Sequence, residues 1–378
     1  MSRFFNEDQL MIQKMAREFA QTEVRPLAME IDKTNRIPRQ LYERIGELGF
    51  LGVLIPEEFG GSAAGLTTGC IIIEEIAKES PALALSTYVR MAMPTYLLEA
   101  PTMDLANKYL PDLISGKKVC CGAFTAPSGS TNFVEWPVLA KKDGDDWVLN
   151  GTKLYVTNTN AADIIMALGL TEDYEVGCFV IEKGTPGVED NHVERKMGMN
   201  GNCSGTYVFS DCRVPADHFF VKQLGGPSMI GYGNAMCAAT ALGCAEGAWD
   251  KTAEFAKVRT RAGDPIAEKQ VVAHRLTRMW GQIEAGRSLL YDTTQMADEG
   301  KPEAKMFINT CKYWLGEMSI EVTKQCVWLH GGMGYCEDPG IARYARDAFG
   351  TTVADCTPDQ HVETVAALLG LPGAEMVC

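Results

Sequence analysis

The spacing of apolar residues changes near residue 120 and changes back near residue 226, and this double switch bounds the fold more tightly than any single motif. Up to residue 119 apolar positions recur at helical intervals. NEDQLMIQKMAREFAQTEVRPLAMEID carries acids early, QLYERIGELGFLG stops at glycine before the turn IPEEFGGS, and TGCIIIEEIAKE and ALALSTYVRMAMPTYLLEA resume the pattern. Between 120 and 225 the texture is that of strands: DDWVLNGTKLYVTN, EVGCFVIEKGTPG and GTYVFSDCRVP are rich in β-formers and closed by Gly or Pro. Asn150-Gly151 reads as a tight hairpin turn. From 226 to 378 long helical patterns return, the first of them, NAMCAATALGCAEGAWDKTAEFAKVRTR, rich in the small residues that permit close helix approach. Helices, a small antiparallel sheet, then a helical bundle, with no βαβ repeat, make an α+β chain. Its parts are an N-terminal helical domain (1–119), a middle antiparallel β-domain (120–225) and a C-terminal helical domain (226–378).

The chain has 378 residues and a formal net charge of −14, which argues against nucleic acid as a partner. No apolar run reaches the roughly 18 residues a membrane span needs, and the acid-bearing N-terminal helix is no signal peptide; the cytoplasm is the expected location. The 13 cysteines form no CxxC and the five histidines no HxxxH pair, so no metal is expected. They read as small buried hydrophobes in a reducing compartment.

Gly331–Gly334 (GGMG) follows a helix rather than a strand and lacks the acidic residue of a dinucleotide fingerprint. No P-loop and no GxSxG elbow is present. Asp355, in TTVADCTPDQH, lies between two apolar-patterned stretches and is followed by Cys356, Thr357 and Pro358. It reads either as part of a helix stop or as a catalytic base.

Seven segments taken in order carry a resemblance: IPEEFGG (55–61), KYLPDLISGK (108–117), DGDDWVLNGTKLYVTN (143–158), FSDCRVP (209–215), HGGMGY (330–335), RYARDA (343–348) and the turn at Asp355. Over essentially its whole length the chain resembles the acyl-CoA dehydrogenase family. The resemblance implies a C-terminal four-helix bundle, FAD between the β-domain and that bundle, and a homotetramer in which a neighbouring subunit completes the flavin site.

Carried over by position, it implies flavin contacts from Phe124, Thr125, Ser130 and Thr131 in the segment FTAPSGSTN, where Thr131 and Asn132 stand for a Ser-Asp pair. It implies an aromatic wall at Tyr155 and a hydroxyl at Thr157 beside the ring. Arg259 and Gln270 belong to the segment that would reach a neighbour's cofactor, Trp328, Gly331, Gly332 and Asp359 are further cofactor-binding candidates, and Thr357 would lie near the flavin pyrophosphate. Trp328 stands where the family has Gln, and the Phe that follows Arg259 in the family is absent. Tyr155 and Trp328 read equally as core filling.

The same register puts Asp355-Cys356-Thr357 where the family has Glu-Gly-Thr. Asp355 would take the proton beside a thioester carbonyl while hydride leaves the next carbon for the flavin. The thioester oxygen would be held by a ribityl hydroxyl of FAD and the Asp355 backbone N–H. An aspartate is shorter than a glutamate by roughly 1.5 Å, so an unchanged pocket would not serve: the turn moves inward, the acyl group differs, or the base lies elsewhere. No rival glutamate stands at the alternative helix position: the matching region, ALGCAEGAW, offers only Glu246, slightly off register. Gly231 and Asn234 replace the charged pair flanking the CoA mouth, and GMNGNCSG (198–205) keeps only Ser204. Arg90 reads as a paired, snorkelled side chain or as a receptor for an anionic acyl terminus. Asn234, Cys356 and Thr131 are the remaining substrate-side candidates.

The activity implied is an acyl-CoA dehydrogenase or enoyl-CoA reductase on a short or unusual thioester, with electron-transferring flavoprotein as redox partner. The alternatives are a carrier-protein thioester, a small carbon acid as in nitroalkane oxidases (where an Arg stands at the position of Val362), or a catalytically retired flavin or acyl binder.

Overall fold

The computed structural model describes residues 4–129, 136–221 and 227–374. In the first part, α1 (Glu7–Phe19) starts at Asn6, whose side chain and that of Gln9 cap each other's backbone N–H. Helices α2 (Ala28–Thr34), α3 (Arg39–Glu47), α4 (Gly65–Ala77), α5 (Pro81–Ala92) and α6 (Asp104–Ile114) follow. Leu66 to Ala77 is buried without a break, so α4 is a central helix. α5 begins at Ser80, which caps Leu83 N–H at 3.3 Å, with Pro81 in the first turn.

The sheet holds eight strands: β1 (Cys120–Ala123), β2 (Val138–Asp143), β3 (Asp146–Thr157), β4 (Ile164–Thr171), β5 (Val176–Glu182), β6 (Val188–Val193), β7 (Ser204–Pro215) and β8 (Phe219–Val221). The order is β6-β7-β3-β2-β4-β5-β8, with β1 also on β4.

Two expectations are corrected here. The sheet is mixed, because β1 and β2 both run parallel to β4; a parallel ladder is joined by a long connection and leaves no hairpin signature in sequence. The Asn150-Gly151 pair is not a turn. It lies inside β3, where the register against β7 shifts and Gly151 takes φ +149°, and Asn150 exchanges side-chain and backbone hydrogen bonds with Asp211. The hairpin turns instead at Gly144-Asp145, between the paired Asp143 and Asp146. Asn-Gly favours positive φ, which a bulge uses as readily as a turn.

The last part contains α7 (Pro227–Val258), a short β9–β10 ribbon (Thr260–Arg261 and Asp264–Pro265), α8 (Gln270–Asp298), α9 (Ala304–His330), α10 (Gly332–Tyr335), α11 (Ile341–Val353) and α12 (Pro358–Leu368). α7 crosses α4 at backbone distance: a Cβ on Gly243 would meet Glu74 O at 2.3 Å, and one on Gly247 would meet Lys78 O at 2.1 Å. Beside this crossing Arg287 binds Glu74 and Glu246, Lys78 binds Glu75 and Glu246, and Tyr291 donates to Glu74. Removing one partner would strand a buried charge. The β-domain docks on the bundle where Met199 N–H donates to Asp347 Oδ1 at 2.5 Å. Among the described residues no helix is long and apolar enough to cross a membrane.

Candidate active site

A cavity of about 850 Å³ opens where α5, the β-domain and α11 meet. One wall is a single helical stripe, Leu85, Tyr88, Val89 and Ala92 of α5 followed by Met93 and Tyr96. These positions lie three and four apart, so they share a face. The opposite wall comes from the sheet: Phe124, Thr125, Tyr155 and Thr157, with Ser204 paired to Thr157 across β7 and β3. Tyr155 leaves 63% of its surface open and holds φ +55°. Behind Phe124, the buried Lys153 donates to its carbonyl at 2.7 Å. Burial pushes the Lys153 amine down to about 7.

The third wall ends in Val353, Ala354, Asp355 and Cys356. Asp355 and Cys356 have φ +51° and +79°, two consecutive non-glycine residues in the left-handed region. Each costs about 1–2 kcal/mol. The turn is stopped by Thr357, which caps α12 reciprocally with Gln360 ahead of Pro358. Tyr88 Oη donates to Asp355 Oδ2 at 2.9 Å, and Gly233 of α7 faces the same oxygen, where a Cβ would stand 3.3 Å away. Asp355 as a residue is exposed, and it lines the open cavity. Protein packs the rest of the group, and that burial raises its carboxyl pKa against the opposing pull of Lys312 and of the Tyr88 hydrogen bond. Asp355 is the one carboxylate on the cavity wall among the described residues.

A carboxylate with a raised pKa at the strained end of an apolar cavity is suited to general-base work on a carbon acid. Models of the acyl-CoA dehydrogenase N-terminal, middle and C-terminal domains match residues 6–117, 121–212 and 228–370. The chain belongs to the acyl-CoA dehydrogenase family. It is 31% identical to acryloyl-CoA reductase (NADH) of Anaerotignum propionicum over 95% of this chain and 93% of that protein. Among solved structures it resembles a chain in that of the electron transferring flavoprotein of Acidaminococcus fermentans, with 30% identity, a TM-score of 0.93 and coverage of 98% and 99%. It also resembles butyryl-CoA dehydrogenase of Megasphaera elsdenii, with 28% identity, a TM-score of 0.91 and coverage of 98% and 100%.

Of the positions that the acyl-CoA dehydrogenase pattern singles out, Phe124, Thr125, Tyr155, Thr157, Ser204, Asn234, Asp355 and Cys356 line the cavity together. Ser130, Thr131 and Asn132 lie outside the described residues. Arg259, Gln270, Trp328, Gly331 and Gly332 are exposed at one end of the bundle and do not line the cavity of their own chain. Thr357 and Asp359 are exposed at the start of α12.

One candidate is corrected. Arg90 does not line the cavity: it lies two residues from Tyr88, on the other side of α5, where it is 1% exposed. Its Nη2 donates to Tyr42 O at 3.1 Å and its guanidinium lies over the Tyr42 ring. Among the described residues it has no acidic partner and its Nε and Nη1 lack hydrogen-bond acceptors, and burial pushes its pKa down to about 10. Glu246 lies in the ion-pair cluster, 2.9 Å from Lys78 and 2.7 Å from Arg287, and does not line the cavity either. Sequence reasoning missed Tyr88, Gly233, Lys196 and Arg346, all on the cavity wall. The signal for Tyr88 was present in the spacing Leu85-Tyr88-Ala92.

Proposed function

We propose that the chain is an FAD-dependent dehydrogenase or enoyl reductase acting on the α,β carbon–carbon bond of a short acyl-CoA, with Asp355 as the base. What carries this reading is the placement of Asp355 as the single carboxylate, among the described residues, on a largely apolar cavity whose polar lining is otherwise hydroxyls, amides and the cations Lys196 and Arg346. The donor set fits the cofactor. Thr125, Thr157 and Ser204 offer uncharged hydroxyls, and the open face of Tyr155 offers a flat aromatic surface to a flat ring. These residues, with Phe124, would hold the isoalloxazine end; Ser130 and Thr131 are assigned to the same contact by sequence register.

When bound, FAD supplies the acceptor for hydride from the β-carbon, or its donor in the reductive direction. Asp355 moves the proton at the α-carbon, and its raised pKa brings a carboxyl nearer the range where it can both take and return one. Its backbone N–H, we infer, donates to the thioester oxygen as negative charge develops there. The α5 stripe excludes water from the acyl end, and Asn234 and Cys356 border the reacting carbons. Lys196 on the wall, whose amine donates to Asn202 O at 2.5 Å, supplies positive charge toward an anionic carrier such as CoA, while Arg346, also on the wall, is ion-paired with Asp32 at 2.5 Å. We further propose a cytoplasmic homotetramer, in which Arg259, Gln270, Trp328, Gly331 and Gly332 contact a neighbour's cofactor while Thr357 and Asp359 serve their own, with electron-transferring flavoprotein as redox partner.

Anaerobic titration with a panel of saturated and unsaturated acyl-CoA thioesters, following flavin absorbance, tests substrate and direction together. Asp355→Asn should keep its FAD and lose reduction by acyl-CoA by at least about 100-fold. Flavin reduction at the wild-type rate in that variant would refute the assignment.

A further inference from the structure

The Asp355–Cys356 turn is gripped from behind by side chains that do not line the cavity. His361 of α12 is 0% exposed. Its Nε2 lies 2.8 Å from the Asp355 carbonyl oxygen and its Nδ1 2.8 Å from Asn309 Oδ1. Lys312, on α9 with Asn309, donates from Nζ to the Cys356 carbonyl at 3.3 Å. The carbonyls of both left-handed residues are therefore clamped, one by α12 and one by α9. Asn309 Nδ2 donates to Lys305 O at 2.8 Å, which leaves Asn309 Oδ1 facing the ring.

The proton count on His361 decides what this arrangement does. A carbonyl oxygen only accepts, so the contact to Asp355 requires hydrogen on Nε2. A neutral imidazole carries one N–H, and two oxygens face this ring. Burial first, and then the charge of Lys312, push the His361 pKa down to about 4. The ring is neutral at working pH and can donate to only one of these two oxygens, so the grip on Asp355 requires its proton on Nε2 rather than on the Nδ1 that faces Asn309 Oδ1. The charged and titratable groups around this node are Lys312 from α9, Asp355 from the turn and, through the Asp355 carboxyl, Tyr88 from α5.

We infer that His361, assisted by Lys312, positions the Asp355 carboxylate for proton transfer by holding its carbonyl in the left-handed turn. The inference rests on the reading of Asp355 as the base. Two adjacent non-glycine residues at positive φ relax toward ordinary backbone unless their surroundings hold them. A base one methylene short has no slack to absorb that relaxation, and a misplacement of about 1 Å costs on the order of 100-fold in rate. The grip compensates for the short side chain.

The test uses the FAD-loaded full chain with butyryl-, isobutyryl- and cyclohexanecarbonyl-CoA, each unlabelled and deuterated at the α-carbon. His361→Leu should lower kcat by about 10- to 100-fold, leave KM within about threefold, keep FAD and raise the α-deuterium isotope effect. His361→Gln, whose amide nitrogen still donates, should recover to within about fivefold of wild type. A His361→Leu enzyme with wild-type kcat, or one whose loss runs with loss of FAD and is not rescued by Gln, overturns the inference. Asp355→Asn run in parallel separates the two claims. If it turns over normally, the base assignment fails; if it is dead while His361→Leu is normal, only the positioning role fails. Independently of turnover, ¹⁵N NMR of histidine-labelled wild-type protein should show His361 as the neutral Nε2–H tautomer from pH 6 to 8. An Nδ1–H tautomer or an imidazolium in that range overturns it as well.

Discussion

Tyr88 Oη and Asp355 Oδ2, 267 residues apart in the chain, are 2.9 Å apart in space. The bond joins the apolar wall of the cavity to its one described carboxylate, and it acts on the proton affinity of the proposed base. Burial raises the Asp355 pKa, and the Tyr88 hydroxyl, donating to the ionised form, holds it back.

Tyr88→Phe removes that donor and leaves the burial. The Asp355 pKa should rise further, so the acid limb of the kcat/KM profile for dehydrogenation should move to higher pH. The deficit is then largest on the acid side, about tenfold per unit of displacement, and shrinks at alkaline pH where the carboxyl is ionised in both proteins. A pH–rate profile of both proteins checks this; a limb that stays put or moves down contradicts the role given to the bond.

Gly233 tests crowding on the other side of the same carboxylate. It is a helical glycine in α7, so alanine there should favour the helix by up to about 1 kcal/mol. The new Cβ, however, would stand 3.3 Å from Asp355 Oδ2, and the carboxyl must give way. Gly233→Ala should therefore keep or raise Tm while slowing flavin reduction by about 10- to 100-fold. A fast Gly233→Ala enzyme would mean that this oxygen is not the one that meets substrate.

The reach of sequence reasoning is clearest on α5. Leu85, Tyr88 and Ala92 were legible as one helical face, yet Arg90 drew attention because a charge on an apolar helix looks functional. Geometry reverses the emphasis: a residue two positions from Tyr88 points elsewhere, and Arg90 ends under Tyr42 with two nitrogens lacking acceptors among the described residues. Arg90→Met should therefore leave the ratio of rates for neutral and carboxylate-ended acyl-CoA thioesters unchanged within about twofold, because the charge it removes lies away from the cavity. The three-part order of helices, sheet and helices was readable from period alone, as was Asp355 as a candidate. The bulge at Gly151 was not, because Asn-Gly announces positive φ and not what the chain does with it. Nor were Lys312 and His361, whose roles arise only when α9 and α12 close on the turn.

The far end of the bundle gives the last prediction. Phe255 and His330 stack with ring centroids 4.1 Å apart, tying the end of α7 to the end of α9. Around these ends Val258, Val271, Trp328, Met333 and Tyr335 are all exposed. Large apolar side chains gathered at one end of a protein are suited to burial against another protein surface. Arg259, Gln270, Gly331 and Gly332 are exposed at the same end and do not reach their own cavity, so the neighbour they fit best is a second copy. Trp328→Glu places a charge where that contact would exclude water, and should shift the proposed tetramer toward smaller species in sedimentation velocity. The variant should also lose FAD on dilution more readily than wild type, since the same residues are proposed to complete a neighbour's site. Dissociation with full retention of FAD would separate assembly from cofactor binding and restrict the patch to packing; an intact tetramer would remove it from the interface.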